Sequence, residues 1–291
     1  MAPTTVLDIG IVGAGIAGLS AAIATCRAGH TVTLYERSSF KCEVGAAINM
    51  PCHVSRILRT WGFDTEAAHG HVPTQLRNLK ASTAQVGRRE LMEGLEQTYG
   101  EPFWLYHRAD LHTELRRLAE EAGAKIQLGR GVADIDCKNG ILTFADGSVE
   151  SKDLVIAADG VNTPFVLGLT GIDTPTERSG RSVYRTLVPM SKVLRYEATR
   201  ELFQHDYLGM TGAMNPVTNT LLVAYPCRDA ELLNVAVIHP TRPDDFLSDS
   251  MYIISTRDDS YADSPQPGTR LHPCMMPSML WKDSILHSER C

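Results

Sequence analysis

A group of glycines near the amino terminus has the residue types and spacing of a phosphate-binding turn. Residues 13–18 read Gly-Ala-Gly-Ile-Ala-Gly, which is a GxGxxG pattern. In such a pattern Gly13 permits a tight turn, Gly15 lets the backbone approach a pyrophosphate, and Gly18 lets the next helix pack closely. Free N–H groups and the helix dipole then favour a bound phosphate. The pattern predicts that the turn binds the pyrophosphate of a dinucleotide.

An acidic residue follows at the distance that such a site requires. Glu36 comes eighteen residues after Gly18 and directly after the apolar run 31–35. A carboxylate at this position accepts hydrogen bonds from a ribose diol, which favours FAD or NAD over a nucleotide with a 2′-phosphate. The spacing alone leaves FAD and NAD both open.

The segments around these residues predict a strand, a helix and a second strand. Residues 7–12 are mostly apolar and β-branched, which is typical of a strand buried in a parallel sheet. Apolar residues recur at helical spacing from Ile16 to a capping Gly29, and 31–35 predict the next strand. The uncharged stretch 9–26 is long enough for a membrane helix, but its glycine spacing favours the nucleotide-binding turn instead.

Two later segments add candidate residues. Arg108 precedes a predicted helix that Asp110 caps and Gly123 ends. Residues 153–158 predict another buried strand, which ends in Asp159 followed by glycine. An acidic residue at the carboxyl end of a parallel strand lies where α/β sheets bind their ligands. Asp159 is therefore predicted to belong to the same nucleotide site.

Composition limits the classes of function. The 291 residues are 43% hydrophobic and 21% charged, which is ordinary for one large or two modest globular domains. The net charge of −6 gives no electrostatic reason to bind nucleic acid or an anionic membrane. Seven scattered cysteines predict neither a disulfide framework nor a zinc site, and they favour a reducing, cytoplasmic location. His69 and His71 lack a third ligand nearby, so a loop is predicted there rather than a metal site.

Four motifs in order resemble the class A flavoprotein monooxygenases, aromatic hydroxylases of the salicylate-hydroxylase and p-hydroxybenzoate-hydroxylase type. The motifs are the GxGxxG with Glu36-Arg37, then residues 43–48, 107–111 and 158–160. The similarity extends over about residues 7–255. The segments 183–185 and 224–228 are similar to substrate-side segments of the fungal members.

The resemblance implies that FAD is the cofactor and identifies the residues that bind it. Ala46 and Ala47 match the segment under the flavin, Arg108 matches an arginine that meets the FAD phosphates, and Asp159 matches the acid of an Asp-Gly motif. The implied cofactor-binding residues are Gly13, Gly15, Gly18, Glu36, Ala46, Ala47, Arg108 and Asp159.

The resemblance also implies an activity. A member of this family hydroxylates a small phenolic or polyketide-like aromatic substrate with NAD(P)H and O2, and the flavin carries the redox chemistry. Arg185 and Tyr225 match the pair that contacts the phenolic substrate. Arg185 would stabilise a phenolate and Tyr225 would hydrogen-bond its oxygen, which raises the electron density of the ring.

The implied fold class is α/β, a Rossmann-like FAD-binding domain interleaved with a mostly β substrate domain. We expect the FAD-binding domain at 1–80 and 101–175, and the β-rich substrate domain at 81–100 and 176–255. Residues 256–291 are rich in proline without apolar periodicity, and an irregular tail is predicted there.

The sequence departs from the family pattern in its second half. The arginine that usually follows the Asp-Gly motif is missing from 161–166, and the later Gly-Asp motif for the ribityl chain is absent. These departures predict a C-terminally truncated family member. Two alternatives to the monooxygenase therefore stay open: a catalytically silent remnant that binds FAD weakly or not at all, and another FAD- or NAD-dependent oxidoreductase.

Overall fold

A computed structural model describes residues 5–40, 46–174, 177–203 and 209–242. The predicted irregular tail at 256–291 lies outside the described residues, as do residues 43–45 of the second motif. Among the helices of these ranges, none has both the length and the apolar character needed to span a membrane.

The described residues form a mixture of short strands and helices, as the predicted α/β class requires. The strands are β1 (Asp8–Val12), β2 (Thr31–Glu36), β3 (Ala47–Met50), β4 (Gln75–Lys80), β5 (Val86–Leu91), β6 (Trp104–His107), β7 (Lys125–Leu128), β8 (Val132–Asp136), β9 (Ile141–Phe144), β10 (Val149–Ser151), β11 (Leu154–Ala157), β12 (Arg181–Pro189), β13 (Met210–Asn215), β14 (Thr220–Cys227) and β15 (Leu232–Pro240). The helices are α1 (Ile16–Arg27), α2 (Cys52–Thr60), α3 (Leu95–Tyr99), α4 (Arg108–Glu121), α5 (Val166–Thr170), α6 (Met190–Val193) and α7 (Glu197–Arg200).

These elements belong to two compact units. Unit 1 takes the described residues of 1–44, 58–67 and 109–177. Unit 2 takes the described residues of 45–57, 68–108 and 178–291.

Unit 1 is built on a parallel sheet in the order β11-β1-β2-β7. Ile9, Ile11 and Leu34 are almost fully buried in it, which explains why β1 and β2 read as continuous apolar runs. The predicted β1, α1 and β2 are confirmed, and Gly29 takes the left-handed φ of +93° expected after a helix end. All strands of this sheet end at one edge, where the glycine turn lies.

A second, antiparallel sheet of unit 1 has the order β10-β9-β8. Its Leu142 and Phe144 pack with Val12 and Tyr35 in one buried cluster. The β8–β9 and β9–β10 turns contain Gly140 and Gly147, both with positive φ. The dipeptides Asn-Gly at 139–140 and Asp-Gly at 146–147 favour such tight turns.

Unit 2 is built on a six-stranded sheet in the order β12-β15-β14-β13-β4-β5, with only β13 and β4 parallel. Alternate residues of β14 and β15 point to opposite faces, as a pleated strand requires. On one face Val235 and Val237 join a cluster with Ala224, and on the other Tyr225 packs with Leu105 of β6. The short sheet β3-β6 therefore covers this second face.

The two units divide the chain differently from the predicted domain ranges. The described residues 46–57, 68–80 and 101–108 belong to unit 2, although all three segments lie in the range predicted for the nucleotide domain. The reason is strand pairing, because β3 pairs with β6 and β4 pairs with β13 rather than with the parallel sheet. The functions assigned to the predicted ranges stay predictions.

The start of α4 also differs from the expectation. The helix begins at Arg108, directly after β6 ends at His107, so Asp110 lies in its first turn and does not cap it. An acidic side chain in the first turn still stabilises a helix through the dipole. The sequence pattern was misleading because strand and helix join without a loop.

Candidate functional site: the glycine turn and the residues that hold it

The glycine turn has the steric features that a dinucleotide needs. Gly13 has φ of +96°, and a Cβ added there would lie 2.5 Å from the Ala158 carbonyl oxygen. A Cβ on Gly18 would overlap the Gly13 carbonyl oxygen. Gly15 differs from both, since none of the described residues has an atom within 4 Å of the position of its Cβ. Two glycines are thus required by the fold, and the third leaves open space for a ligand.

The amino terminus of α1 opens at the same place. Gly15 is the residue that precedes the helix, and within the described part of the chain no side chain caps it. The first N–H groups of a helix have no partner inside the helix, so they and the dipole attract an anion. The open space at Gly15 and these donors together fit a pyrophosphate.

The peptide groups of the turn are held by two side chains, which we call the Ala14 clamp. Glu36 accepts a hydrogen bond from the Ala14 N–H through Oε2 at 2.9 Å, and its Oε1 accepts one from Ser38 at 2.8 Å. His112 of α4 lies with its Nε2 2.7 Å from the Ala14 carbonyl oxygen. Both carboxylate oxygens of Glu36 keep lone pairs for further donors, such as a ribose diol.

Asp159 lies beside the turn, as predicted. It follows the last residues of β11, and the Ala158 N–H donates to the Val12 carbonyl at 2.8 Å. A Cβ on Gly13 would lie 2.9 Å from the Cα of Asp159. Unit 1 therefore brings together Asp159, Glu36 and the three predicted glycines at the carboxyl edge of its parallel sheet.

Unit 2 contains the other predicted cofactor residues. The Arg108 N–H donates to the Ala46 carbonyl at 2.8 Å, so the two predicted positions are adjacent across the β3–β6 ladder. The Arg108 side chain is half-buried.

Both polar backbone groups of Ala47 are held by side chains, which we call the Ala47 clamp. The Tyr225 hydroxyl donates to the Ala47 carbonyl at 3.0 Å. The Ala47 N–H donates to Asn234 Oδ1 at 3.3 Å. Ala47 and both of these side chains are buried, so the two side chains satisfy polar backbone groups that would otherwise be costly to bury.

Arg185 and Tyr225 lie on the same face of the six-stranded sheet. Leu187 and Tyr225 both pair with Asn234, and Arg185 precedes Leu187 by two residues on β12. Burial raises the pKa of Tyr225 to about 12, and the positive charge of Arg185 opposes part of that rise. Arg185 is exposed whereas Tyr225 is buried with its hydroxyl on Ala47, so substrate contact by this pair stays a prediction.

Sequence reasoning missed His112 and Asn234. His112 was one of several residues inside a helix predicted from its apolar stripe, and Asn234 lies inside an apolar strand. A polar residue in an otherwise buried segment is the signal that marks both, because such a group requires a partner. The identity of that partner depends on long-range packing.

One histidine of the 68–71 loop contacts an acidic side chain. His69 Nδ1 lies 2.6 Å from Asp229 Oδ2, and both side chains are half-exposed. Among the described residues no group of three His, Cys, Asp or Glu side chains is arranged to hold a metal ion. Cys26, Cys52 and Cys137 are free thiols.

A glycine turn on a helix terminus, with a fixed carboxylate beside it, defines a dinucleotide-binding protein of the Rossmann type. Residues 4–219 match the family described as FAD binding domain, and the chain belongs to this family. FAD is accordingly the cofactor, and the resemblance to class A aromatic hydroxylases is confirmed.

Two fungal proteins are among the similar sequences. Hispidin-3-hydroxylase of Neonothopanus nambi is 31% identical over 257 residues, which are 84% of this chain and 61% of that protein. The FAD-dependent monooxygenase cfoG of Aspergillus candidus is 36% identical over 243 residues, which are 80% of this chain and 56% of that protein. The chain thus spans about three fifths of the length of these relatives.

Solved structures confirm the predicted fold. CtdE in complex with FAD and its substrate aligns with a TM-score of 0.71 at 19% identity, over 81% of this chain and 57% of that one. Tetrameric 2-methyl-3-hydroxypyridine-5-carboxylic acid oxygenase aligns with a TM-score of 0.65 at 24% identity, over 82% of this chain and 60% of that one.

Proposed function

We propose that this protein is an FAD-dependent monooxygenase that hydroxylates a small phenolic or polyketide-like aromatic substrate with NAD(P)H and O2. The observation that carries the proposal is the open position at Gly15, next to the uncapped α1 terminus and the fixed Glu36. The names of the similar proteins, a hydroxylase and a monooxygenase, support the reaction class.

The residues of unit 1 would hold the adenosine half of FAD. The N–H groups at Gly15 and the first turn of α1 would donate to the pyrophosphate, and the second lone pairs of Glu36 would accept from the ribose. Asp159 lies beside the turn at the same sheet edge. The chemistry that FAD supplies when bound is electron transfer from NAD(P)H and activation of O2.

The residues of unit 2 would serve the flavin and the substrate. The Ala47 clamp would keep the 46–47 backbone in one orientation under the flavin, because both polar groups of Ala47 are occupied. Arg185 would place a positive charge near a phenolate and so favour electron density in its ring. We propose that Tyr225 has two contacts on the same face of the sheet. Its hydroxyl group holds the Ala47 carbonyl, and its oxygen contacts the substrate.

We further propose a cytoplasmic location and no nucleic-acid or membrane partner. The free thiols of Cys26, Cys52 and Cys137 support a reducing compartment. The net charge of −6 supports the exclusion of polyanions.

Visible absorbance of the purified protein tests cofactor binding. We expect flavin bands after reconstitution with FAD and gel filtration, and a protein that stays colourless would contradict the proposal. NAD(P)H oxidation and product formation are then measured with a panel of phenols. If the protein binds FAD but hydroxylates no phenol, the assignment of FAD binding stands and the assignment of monooxygenase activity is wrong.

The substrate role of Arg185 has its own test. We expect Arg185→Ala to retain the flavin absorbance and to lower the product formed per NAD(P)H consumed, whereas Arg185→Lys retains the charge and part of the coupling. Arg181→Ala is the matched control, because Arg181 lies on the same strand, at its exposed end, and bonds to Asn219. Equal coupling in the Arg185→Ala protein and the control would contradict the role.

A further inference from the structure

We propose that His112 is a positioning residue for the FAD-binding turn. Through its hydrogen bond to the Ala14 carbonyl it fixes the direction of the N–H of Gly15, the residue beside the open space for the pyrophosphate. The inference rests on the FAD binding of the proposed function and extends it to a residue outside the glycine motif.

The contact identifies which ring nitrogen of His112 faces the turn. His112 is only 3% exposed, and its Nε2 lies 2.7 Å from the Ala14 oxygen. A carbonyl oxygen can only accept, so Nε2 carries the hydrogen and donates it. The ring also makes an edge contact with Phe40, with 4.8 Å between ring centroids. Two contacts therefore fix the orientation of the imidazole.

The carbonyl that His112 holds belongs to the peptide group that joins Ala14 to Gly15. A trans peptide is planar, and its C=O and N–H point in opposite directions. The described residues contain no cis peptide bond. A hydrogen bond that fixes the Ala14 carbonyl therefore also fixes the Gly15 N–H, on the side of the peptide away from His112.

Glu36 holds the preceding peptide group, through the Ala14 N–H. Two consecutive peptides of the turn are thus fixed by side chains from different elements, β2 and α4. This arrangement is useful because Gly13 and Gly15 have wide conformational freedom in an unbound turn. A turn that already has its bound conformation loses less entropy when the ligand binds.

A different role for His112 is that of a buried histidine whose only task is to satisfy the polar groups around it. That role predicts a loss of protein stability on substitution and no specific loss of affinity. The positioning role predicts weaker binding of ligands that carry the diphosphate. Measuring ligand affinity and melting temperature on the same variants distinguishes the two roles.

The experiment uses the full chain without bound flavin, titrated with FAD and with ADP as the diphosphate probe. We expect His112→Leu to weaken both ligands about tenfold, which corresponds to about 1.4 kcal/mol and to one lost hydrogen bond. His112→Gln keeps an N–H donor of similar reach, and we expect it to bind both ligands within about threefold of the wild type.

Leu115→Ala provides the matched control. Leu115 is 1% exposed on the same helix and makes no polar contact with the turn, so its truncation leaves a cavity in the core. We expect a lower melting temperature with FAD affinity within about threefold of the wild type. If His112→Leu does not fold, His112→Asn replaces it, because its shorter amide does not reach Ala14. We expect at least about fivefold weaker binding for His112→Asn than for His112→Gln.

Each result decides the matter. Equal affinity of His112→Leu and the wild type would overturn the role of His112 while the FAD site stands. Weaker FAD binding with unchanged ADP binding would also overturn it, because the effect would then lie outside the diphosphate. A wild-type chain that binds neither ligand would overturn both this inference and the proposed function.

Discussion

The Ala14 clamp and the Ala47 clamp both fix a short backbone segment, but they use different types of side chain. In each, side chains from two elements hold both the N–H and the C=O of one alanine. The Ala14 clamp uses a carboxylate and an imidazole at 2.9 and 2.7 Å, next to open space at Gly15. The Ala47 clamp uses an amide and a phenol at 3.3 and 3.0 Å, inside a buried cluster.

The difference indicates what each clamp contributes. Hydrogen bonds to charged groups are stronger, and a carboxylate beside a phosphate site also helps to select the sugar. Neutral partners in a buried cluster mainly prevent unsatisfied backbone groups. We therefore expect damage to the Ala14 clamp to appear in ligand affinity, and damage to the Ala47 clamp to appear in stability.

Closing the open space beside the Ala14 clamp should have the largest effect. Gly15→Val places a branched side chain where the pyrophosphate would lie, and we expect FAD affinity to fall at least about a hundredfold, or about 2.7 kcal/mol. Titration of the flavin-free protein measures this. Gly29→Ala in the same unit is the control, because a Cβ there would have none of the described residues within 4 Å, although the φ of +93° means that the substitution will lower stability. If the Gly15→Val protein still binds flavin and is yellow, the pyrophosphate does not lie at Gly15.

Loss of the carboxylate should weaken the ligand less. We expect Glu36→Ala to reduce the free energy of FAD binding by about 1–3 kcal/mol, the value for a hydrogen bond to a charged group. Glu36→Gln retains an acceptor and should lose less. Titration with FAD gives both values, and the prediction fails if the alanine variant binds FAD as the wild type does.

Loss of the amide of the Ala47 clamp should appear in stability. Asn234→Ala leaves the buried Ala47 N–H without its acceptor, so we expect the free energy of unfolding to fall by about 1–3 kcal/mol. Asn49→Ala, at an exposed position of β3, is the control, and we expect its free energy of unfolding to change by no more than about 0.5 kcal/mol. Urea unfolding measures both. If the Asn234→Ala protein has normal stability but binds FAD weakly, the Ala47 clamp serves ligand affinity, and the difference proposed between the two clamps is wrong.

The hydroxyl of Tyr225 should contribute least and should depend on pH. We expect Tyr225→Phe to lose about 0.5–1.5 kcal/mol of stability at pH 8, the net value of one neutral hydrogen bond. The pKa of Tyr225 is raised to about 12 by burial, so the folded state holds this proton more tightly than the unfolded state, where the pKa is near 10. The contribution of the Tyr225 hydroxyl to the free energy of unfolding is therefore complete below pH 10 and is lost as the pH rises towards 12.

Urea unfolding at pH 8 and at pH 11 measures this dependence. The gap between wild type and Tyr225→Phe should become smaller at pH 11. Tyr35, whose pKa is also raised to about 12, is present in both proteins and cancels in the comparison. A gap that stays constant or widens would mean that the Tyr225 hydroxyl is not buried as described.

The sequence predicted the Ala14 region far better than the Ala47 region, and the reason is chain distance. Glu36 is 22 residues from Ala14 within one βαβ unit, whose pattern is local. The partners of Ala47 are 178 and 187 residues away, and no local pattern reports such a pairing.

The same reason explains the other differences. The assignment of 46–57 and 68–80 to unit 2 depends on strands that pair across long stretches of chain. His112 was missed because its partner is a backbone carbonyl, which every residue has. Periodicity located α4, but its first residue depends on how β6 ends, so the helix begins before Asp110 and not after it.

The long chain distance of the Ala47 clamp also sets an order of events while the protein is being made. A ribosome adds about 5–20 residues per second. The 187 residues between Ala47 and Asn234 therefore take about 10–40 s to synthesise, and during that time the polar groups of Ala47 must remain with water or with a chaperone. The Ala14 clamp is complete once His112 has emerged, 98 residues after Ala14. The nucleotide turn can thus form early in synthesis, whereas the backbone at Ala47 gains its last partner only after β15 has been made.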